Sequence, residues 1–325
     1  MSEDASVHVG IDLAWGPKNR TGLGVVAADG RLLASGSAGG DDEIVEWIRA
    51  NAPQLGVVAI DAPLIVTNAV GRRMCESFIH AAFGRYDASP HSTNLGNPEM
   101  NPPRGAVIAE RLGLPVDPDG PRDAVAIEVY PHPAMVGLWE LDLILKYKHK
   151  AKYEFSFRKE QFGQLLTLLK GESSLRVAES PRWGEIRAVA AQATKHSELN
   201  RIEDEVDGIV CAWLAYLWAN ADERLEVYGD TATGYIVAPE PPRHRPRPRS
   251  ERQAPRSASR SAAVQPAVRF VDTGSDRADA GAVVGQPEFY LDGPSGRRLL
   301  TSAEARMLEG ALAAVRDETA RTIAG

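Results

Sequence analysis

A mixed α/β sheet flanked by helices is the fold class this sequence predicts, and three observations predict it. Residues 7–13, 21–28 and 31–37 are short apolar runs, with AADG at 27–30 as a turn between the second and third, so they open the chain as an antiparallel meander. DDEIVEWIRANA at 41–52 places Ile44, Trp47 and Ile48 at helical spacing behind two Asp residues suited to capping. The run VVAI that follows is then a strand parallel to the first, because strand, helix and strand in one sheet make a right-handed crossover.

The later elements follow from the same rules. RRMCESFIHAAFG at 72–84 reads as a helix closed by Gly84, and the next twenty or so residues, rich in Pro, Asn and Ser, as a long irregular loop. A helix near 105–113, a strand at 125–130 and a helix in PHPAMVGLWEL come next, then LKYKHKAK. Helices are expected at 158–169, 183–196 and about 203–221, before a closing strand pair at 225–228 and 234–238. PEPPRHRPRPRSERQAPRSASRSAAVQP has the composition of a disordered linker, with almost nothing to bury. Beyond it, EFYLDGPSGRRLLTSAEARMLEGALAAVRDETA suggests a strand, a tight turn and a helix with Thr301 and Glu304 as a capping box.

At 325 residues the chain has room for a sizeable domain and something smaller. The net charge of −7 hides an asymmetry: Pro241 to Arg260 carry seven Arg against one Glu, a net of +6, which leaves −13 for the rest. An acidic body argues against tight, sequence-blind duplex binding by that body, since phosphate neutralisation needs clustered Lys and Arg. Cys75 and Cys211 lie far apart in apolar helical contexts, which speaks against a disulfide framework or zinc cluster and fits a cytoplasmic location. The start of the chain lacks the pattern of a signal peptide, and no apolar stretch approaches the length of a membrane span.

The chemistry resides in acids. Asp12, Asp61 and Glu128 each close a short Val- and Ile-rich run, and a carboxylate at the end of a buried strand is costly unless solvated, paired or on a metal. Asp207 interrupts the apolar face of Val206, Ile209, Val210, Trp213, Leu214 and Leu217 in the long helix. Three strand-end acids and one helical acid suit Mg²⁺, which prefers oxygen ligands. Other readings stand beside this one. Asp61 before Pro63 also suits a turn or a helix cap. Glu203, Asp204 and Glu205 also suit a solvated acidic first turn that favours the helix dipole, the reading preferred for Glu205. His132 reads as a hydrogen-bonded loop histidine and Tyr130 as core. Lys146, Lys148, Lys150 and Lys152 alternate, so an extended segment would put them on one face to grip a phosphate backbone, unless they are simply a solvated loop. Arg72, Arg73 and Arg104 flank the irregular loop and could do the same.

In this order, GIDLAWG with TGLGVV, AIDAPL, GRRMCE, EVYPHP, the YK segment, EDEVDGIVCAWLAY and the closing TGYIVAP resemble the domain of unknown function 429 family, described as predicted nucleases with an RNase H-like fold. The resemblance implies a five-stranded mixed sheet with an acid on the first strand, another on the fourth and one or more on the final helix, with two Mg²⁺ or Mn²⁺ between them. Asp12, Asp61 and Asp207 stand at those positions, and Glu128 resembles an additional family acid. One departure is Gly208, where the family leads one to expect Ala after the last Asp. The implied layout is an RNase H-like domain over 1–239, the linker over 240–266 and a small C-terminal segment over 267–325.

The expected function is a metal-dependent nuclease. Asp12 and Asp207 would hold one metal with Asp204 beside them, Asp61 would bridge or hold the second, and Glu128 would orient or deprotonate the attacking water. Arg72, Arg104, Lys146, Lys148 and Lys150 would place the nucleic acid. Two alternatives are a nucleotide-binding phosphotransferase on a related core, which requires a second lobe, and a non-catalytic adaptor recruiting a protein partner through the Arg-rich linker and C-terminal helix.

Overall fold

The computed structural model describes residues 6–16, 19–244, 246, 290–293 and 296–299. The chain divides into two units, Met1–Pro246 and Arg247–Gly325. In the first, β1 (Val7–Asp12), β2 (Thr21–Val26) and β3 (Leu32–Ala38) form the antiparallel meander, and α1 (Asp41–Asn51) crosses to β4 (Leu55–Ile60). β4 is parallel to β1, and β5 (Ala126–Glu128) is parallel to β4, so the sheet order is β3-β2-β1-β4-β5. This is the five-stranded mixed sheet that the family resemblance implies.

Between β4 and β5 lie α2 (Met74–Phe83) and α3 (Arg104–Arg111). After β5 come α4 (Pro131–Leu138), α5 (Phe155–Gly171), α6 (Pro181–Gln192), α7 (His196–Ala219) and a hairpin of β6 (Leu225–Asp230) and β7 (Gly234–Pro239). β5 is shorter than the expected 125–130 because Tyr130 already caps α4, whose first residue is Pro131. In the second unit, β8 (Tyr290–Gly293) and β9 (Gly296–Leu299) pair as a hairpin, so the expected turn is followed by a second strand. The capping box at Thr301 and Glu304, its helix and most of the linker lie outside the described residues.

The sheet separates two cores. Val9, Ile11, Leu23, Val25, Val58 and Ile60 face α1 and α3. Ala59, Ile127 and their neighbours face α7, with α5 and α6 behind it. The two faces alternate residue by residue, as strand geometry requires.

α7 starts seven residues before the expected 203, because Leu199 and Ile202 extend its buried face. It also lies unusually close to the sheet. A Cβ on Gly10 would stand 1.9 Å from Ala212 N, one on Gly22 1.6 Å from Asp204 O, and one on Gly208 2.4 Å from Leu23 N. These are backbone atoms that cannot yield, so glycines on both partners let the helix rest its backbone on β1 and β2. That contact explains Gly208, where the family resemblance leads one to expect Ala.

Among the described residues no helix is long and apolar enough to cross a membrane.

Candidate active site

The β1–β4 register pairs Ile11 with Ile60, and Asp61 N donates to Ile11 O at 2.8 Å. Asp12 and Asp61 therefore end adjacent parallel strands side by side, on the α7 face. α7 supplies Asp204 and Asp207, which its close seat on β1 and β2 brings to the same end of the sheet. Asp207 is fully buried.

Lys148 stands among these acids. Its Nζ lies 2.7 Å from Asp207 Oδ2 and 3.6 Å from Asp12 Oδ2. Tyr147 donates its hydroxyl to Asp207 Oδ1 at 2.5 Å. Tyr147 is held in turn by the buried Arg158, whose Nε donates to Tyr147 O at 2.6 Å and whose guanidinium also pairs with Glu203. Adjacent residues thus reach one carboxylate, and the expected alternation of the YK segment breaks at the site. Lys146 is ion-paired to Asp87 at 2.8 Å, and Lys150 is exposed at the mouth of the cleft.

One ammonium does not balance four carboxyls. Burial raises the pKa of Asp12, an effect that Lys148 opposes and that the charges of Asp204 and Glu203 reinforce. Asp61 is pushed well above the usual range by burial and by Asp12. Asp204 and Asp207 are each raised to about 6 by burial, against the pull of Lys148. For Lys148 itself burial favours the neutral amine, but Asp207 and Asp12 outweigh it and hold the ammonium.

Glu128 differs from expectation. It is level with Ile60 in the β4–β5 register, one residue behind Asp61 and on the opposite face of the sheet. There it forms a bidentate pair with Arg73, at 2.6 Å and 2.9 Å, and accepts the Leu64 N–H at 2.9 Å. Arg73 is buried too, and also holds Glu76 at 2.9 Å and Ile65 O at 3.0 Å. It is a structural hub, whereas Arg72 is exposed on the approach to α2. Glu205 is also corrected. It sits in the third turn of α7, is 2 % exposed and is paired to Arg182 at 2.7 Å, with Ser35 as a further donor. The solvated first turn expected for it would have required the helix to begin near 203.

Asp12, Asp61 and Asp204 open into a cleft of about 910 Å³, lined also by Trp15, His91, Arg104, Glu128 and Tyr130, with Asp207 buried outside its lining. Tyr130 is half-buried and donates to Ser89 O at 3.1 Å, so it is a cleft residue more than a core one. His132 lowers to about 3 through burial and the nearby lysines, so it is neutral, and its buried Nδ1 has no hydrogen-bond partner among the described residues. Arg104 pairs with Asp41 at 2.6 Å and donates to Ala14 O at 2.6 Å.

The donor set suits a hard cation chemically, being carboxylate oxygens at the end of a sheet. Among the described residues, however, no three His, Cys, Asp or Glu side chains stand in ligating geometry. The Lys148 ammonium stands between Asp12 and Asp207.

Sequence reasoning missed Tyr147, Arg158 and the glycine seat of α7. A signal for the last was present in the Gly residues at 10, 22, 24 and 208 beside the acids. No curated protein and no solved structure matches the chain. Residues 10–233 match the family model described as Protein of unknown function (DUF429), and the chain belongs to that family.

Proposed function

We propose that the chain is a metal-dependent phosphodiesterase acting on nucleic acid. One observation carries this reading: Asp12, Asp61, Asp204 and Asp207, from three separate elements, gather around one lysine at the end of a sheet and beside an open cleft. The buried acids Glu76, Glu128, Glu203 and Glu205 are each matched by a guanidinium group. This group is not, and a surplus of carboxylates is what a hard cation neutralises.

Mg²⁺ or Mn²⁺ held by Asp12, Asp61, Asp204 and Asp207 would supply charge neutralisation for a transferring phosphoryl group. The chain's own residues do the rest. Tyr147 fixes the rotamer of Asp207 through its hydroxyl. Lys148 holds the site together in the absence of the ion, and the two cations compete for the same oxygens. Asp61 and Asp204 line the cleft and would orient a water as well as hold the ion, whereas the oxygens of Glu128 already accept from Arg73 and Leu64. The phosphotransferase alternative is disfavoured by the hairpin of β6 and β7, which is a two-stranded pair and not a second lobe.

The test is cleavage of a labelled panel of single-stranded, duplex, hybrid and branched nucleic acids with Mg²⁺ or Mn²⁺. Wild type should cleave at least one substrate and Asp12→Asn none, while the melting temperature of Asp12→Asn stays level or rises because a repelling charge is gone. Failure of the wild type on every substrate would end the nuclease reading.

A further inference from the structure

Trp15 is 57 % exposed, one of the few large apolar side chains that face solvent among the described residues. It lines the same cleft as Asp12 and Asp61. Only Leu13 and Ala14 separate it from Asp12, so their Cα atoms lie within about 11 Å of each other even if the segment is fully extended. An aromatic ring left in water beside a reaction centre is unusual, since burial of such a ring is worth a few kcal/mol.

Its backbone is pinned. Ala14, the residue before it, donates its N–H to Thr21 Oγ1 at 3.2 Å and accepts at its carbonyl from Arg104 at 2.6 Å. Arg104 is anchored by Asp41. His91, which also lines the cleft, meets the indole at a right angle, with ring centroids 6.1 Å apart and planes at 89°. One imidazole meets the indole on one side only, and the exposure of Trp15 leaves aromatic surface open to solvent. Two cations also line the cleft: Arg20, which donates to Ser37 and has no carboxylate within ion-pair distance among the described residues, and the exposed Lys150.

We infer that Trp15, with His91 beside it, is a stacking platform for an unpaired nucleobase, and that this cleft selects single-stranded nucleic acid or a single-stranded end. The inference rests on the phosphodiesterase reading and narrows its substrate. A base in the interior of a duplex has both faces covered by its neighbours and offers none to an indole, whereas every unpaired base has a free π-face. The cleft volume of about 910 Å³ points the same way. It lies near the top of the range that encloses a single drug-sized ligand, room for a few nucleotides at most. Arg20 and Lys150 would meet the flanking phosphates. Arg104, expected to grip phosphate, instead positions the loop that carries the indole.

The test is fluorescence anisotropy with four labelled probes: a single-stranded oligonucleotide, the same oligonucleotide with successive abasic sites, a blunt duplex and a mononucleotide. It is run with Ca²⁺ and again in EDTA, for wild type, Trp15→Ala, Trp15→Phe and, as a remote exposed aromatic, Phe157→Ala. Trp15→Ala should weaken binding of the single strand on the order of 10- to 100-fold, the span of one base–aromatic stack. Trp15→Phe should recover part of the loss, and Phe157→Ala should match wild type. The abasic probe should bind wild type as weakly as the intact strand binds Trp15→Ala. Equal single-strand affinity in wild type and Trp15→Ala, or blunt duplex bound as tightly as single strand, would overturn the inference. So would a mononucleotide bound as tightly as the oligonucleotide, because the cleft would then be a nucleotide site. The two readings fail separately. Trp15-dependent binding without cleavage under Mg²⁺ or Mn²⁺ would sink the nuclease reading alone, and cleavage indifferent to Trp15 would sink the platform alone.

Discussion

The two sides of the sheet's working end treat buried acids in opposite ways. On the α1 and α3 face, Glu128 and Glu76 share the buried guanidinium of Arg73, and Thr93 and the Leu64 N–H take up further lone pairs. On the α7 face, Asp12, Asp61, Asp204 and Asp207 share one ammonium and one tyrosine hydroxyl. Glu203 and Glu205 follow the first pattern on the same helix as Asp204 and Asp207, each with its own arginine. A carboxylate matched by a rigid bidentate partner is architecture. A surplus of carboxylates around one lysine beside a cleft marks the candidate site.

The sharpest way to break this contrast is to remove a matched partner. Arg73→Met strands Glu128 and Glu76 in the interior, and should cost about 3–5 kcal/mol by urea denaturation, the usual penalty for a broken buried pair. A loss under about 1 kcal/mol would mean these acids are not held by Arg73 in solution.

The surplus depends on how closely α7 sits. Gly208→Ala places a Cβ 2.4 Å from Leu23 N, so the helix must retreat and carry Asp204 and Asp207 away from Asp12. About 2–3 kcal/mol of stability should be lost, together with any Mg²⁺-induced rise in melting temperature. An unperturbed variant would show that the close seat is relaxed in solution.

Lys148→Met tests the lone counter-ion. At pH 7 it should destabilise by about 2 kcal/mol, an order-of-magnitude figure for a partly buried ammonium lost from among carboxylates. Mg²⁺ should then restore more stability than it adds to wild type, because the competing cation is gone. A melting temperature insensitive to Mg²⁺ in both proteins would argue that the surplus serves another purpose.

The smallest effect is the pH dependence. Asp204 and Asp207 titrate near 6 in the folded chain against an ordinary 3.8, so between these values the folded state binds more protons than the unfolded state. Their contribution to stability therefore falls as pH rises from about 4 to about 6 and is level above. Asp204→Asn should flatten that slope in a series of thermal melts, and an unchanged slope would place the titration elsewhere.

Much of this was legible in the residues. The apolar runs that end at Asp12 and Asp61, the crossover helix at 41–52 and the acid within the long apolar helix are local patterns, and each holds in the fold. Glu128 shows where local reading stops. Its context matched that of Asp61, but side chains alternate along a strand, so a register offset of one residue moves a carboxylate from one face to the other. Lys148 was visible as one lysine of four, and nothing in its neighbourhood distinguished it. Asp207 selects it from 59 residues away in the chain.

By itself, then, the sequence determined the order of strands and helices, the crossover and the identity of the acids that terminate β1 and β4, because each follows from residue periodicity over a few turns. Only the tertiary structure decided which acids are matched and which are in surplus. That division depends on strand register and on how near α7 approaches the sheet, and both are set by contacts between residues distant in the chain.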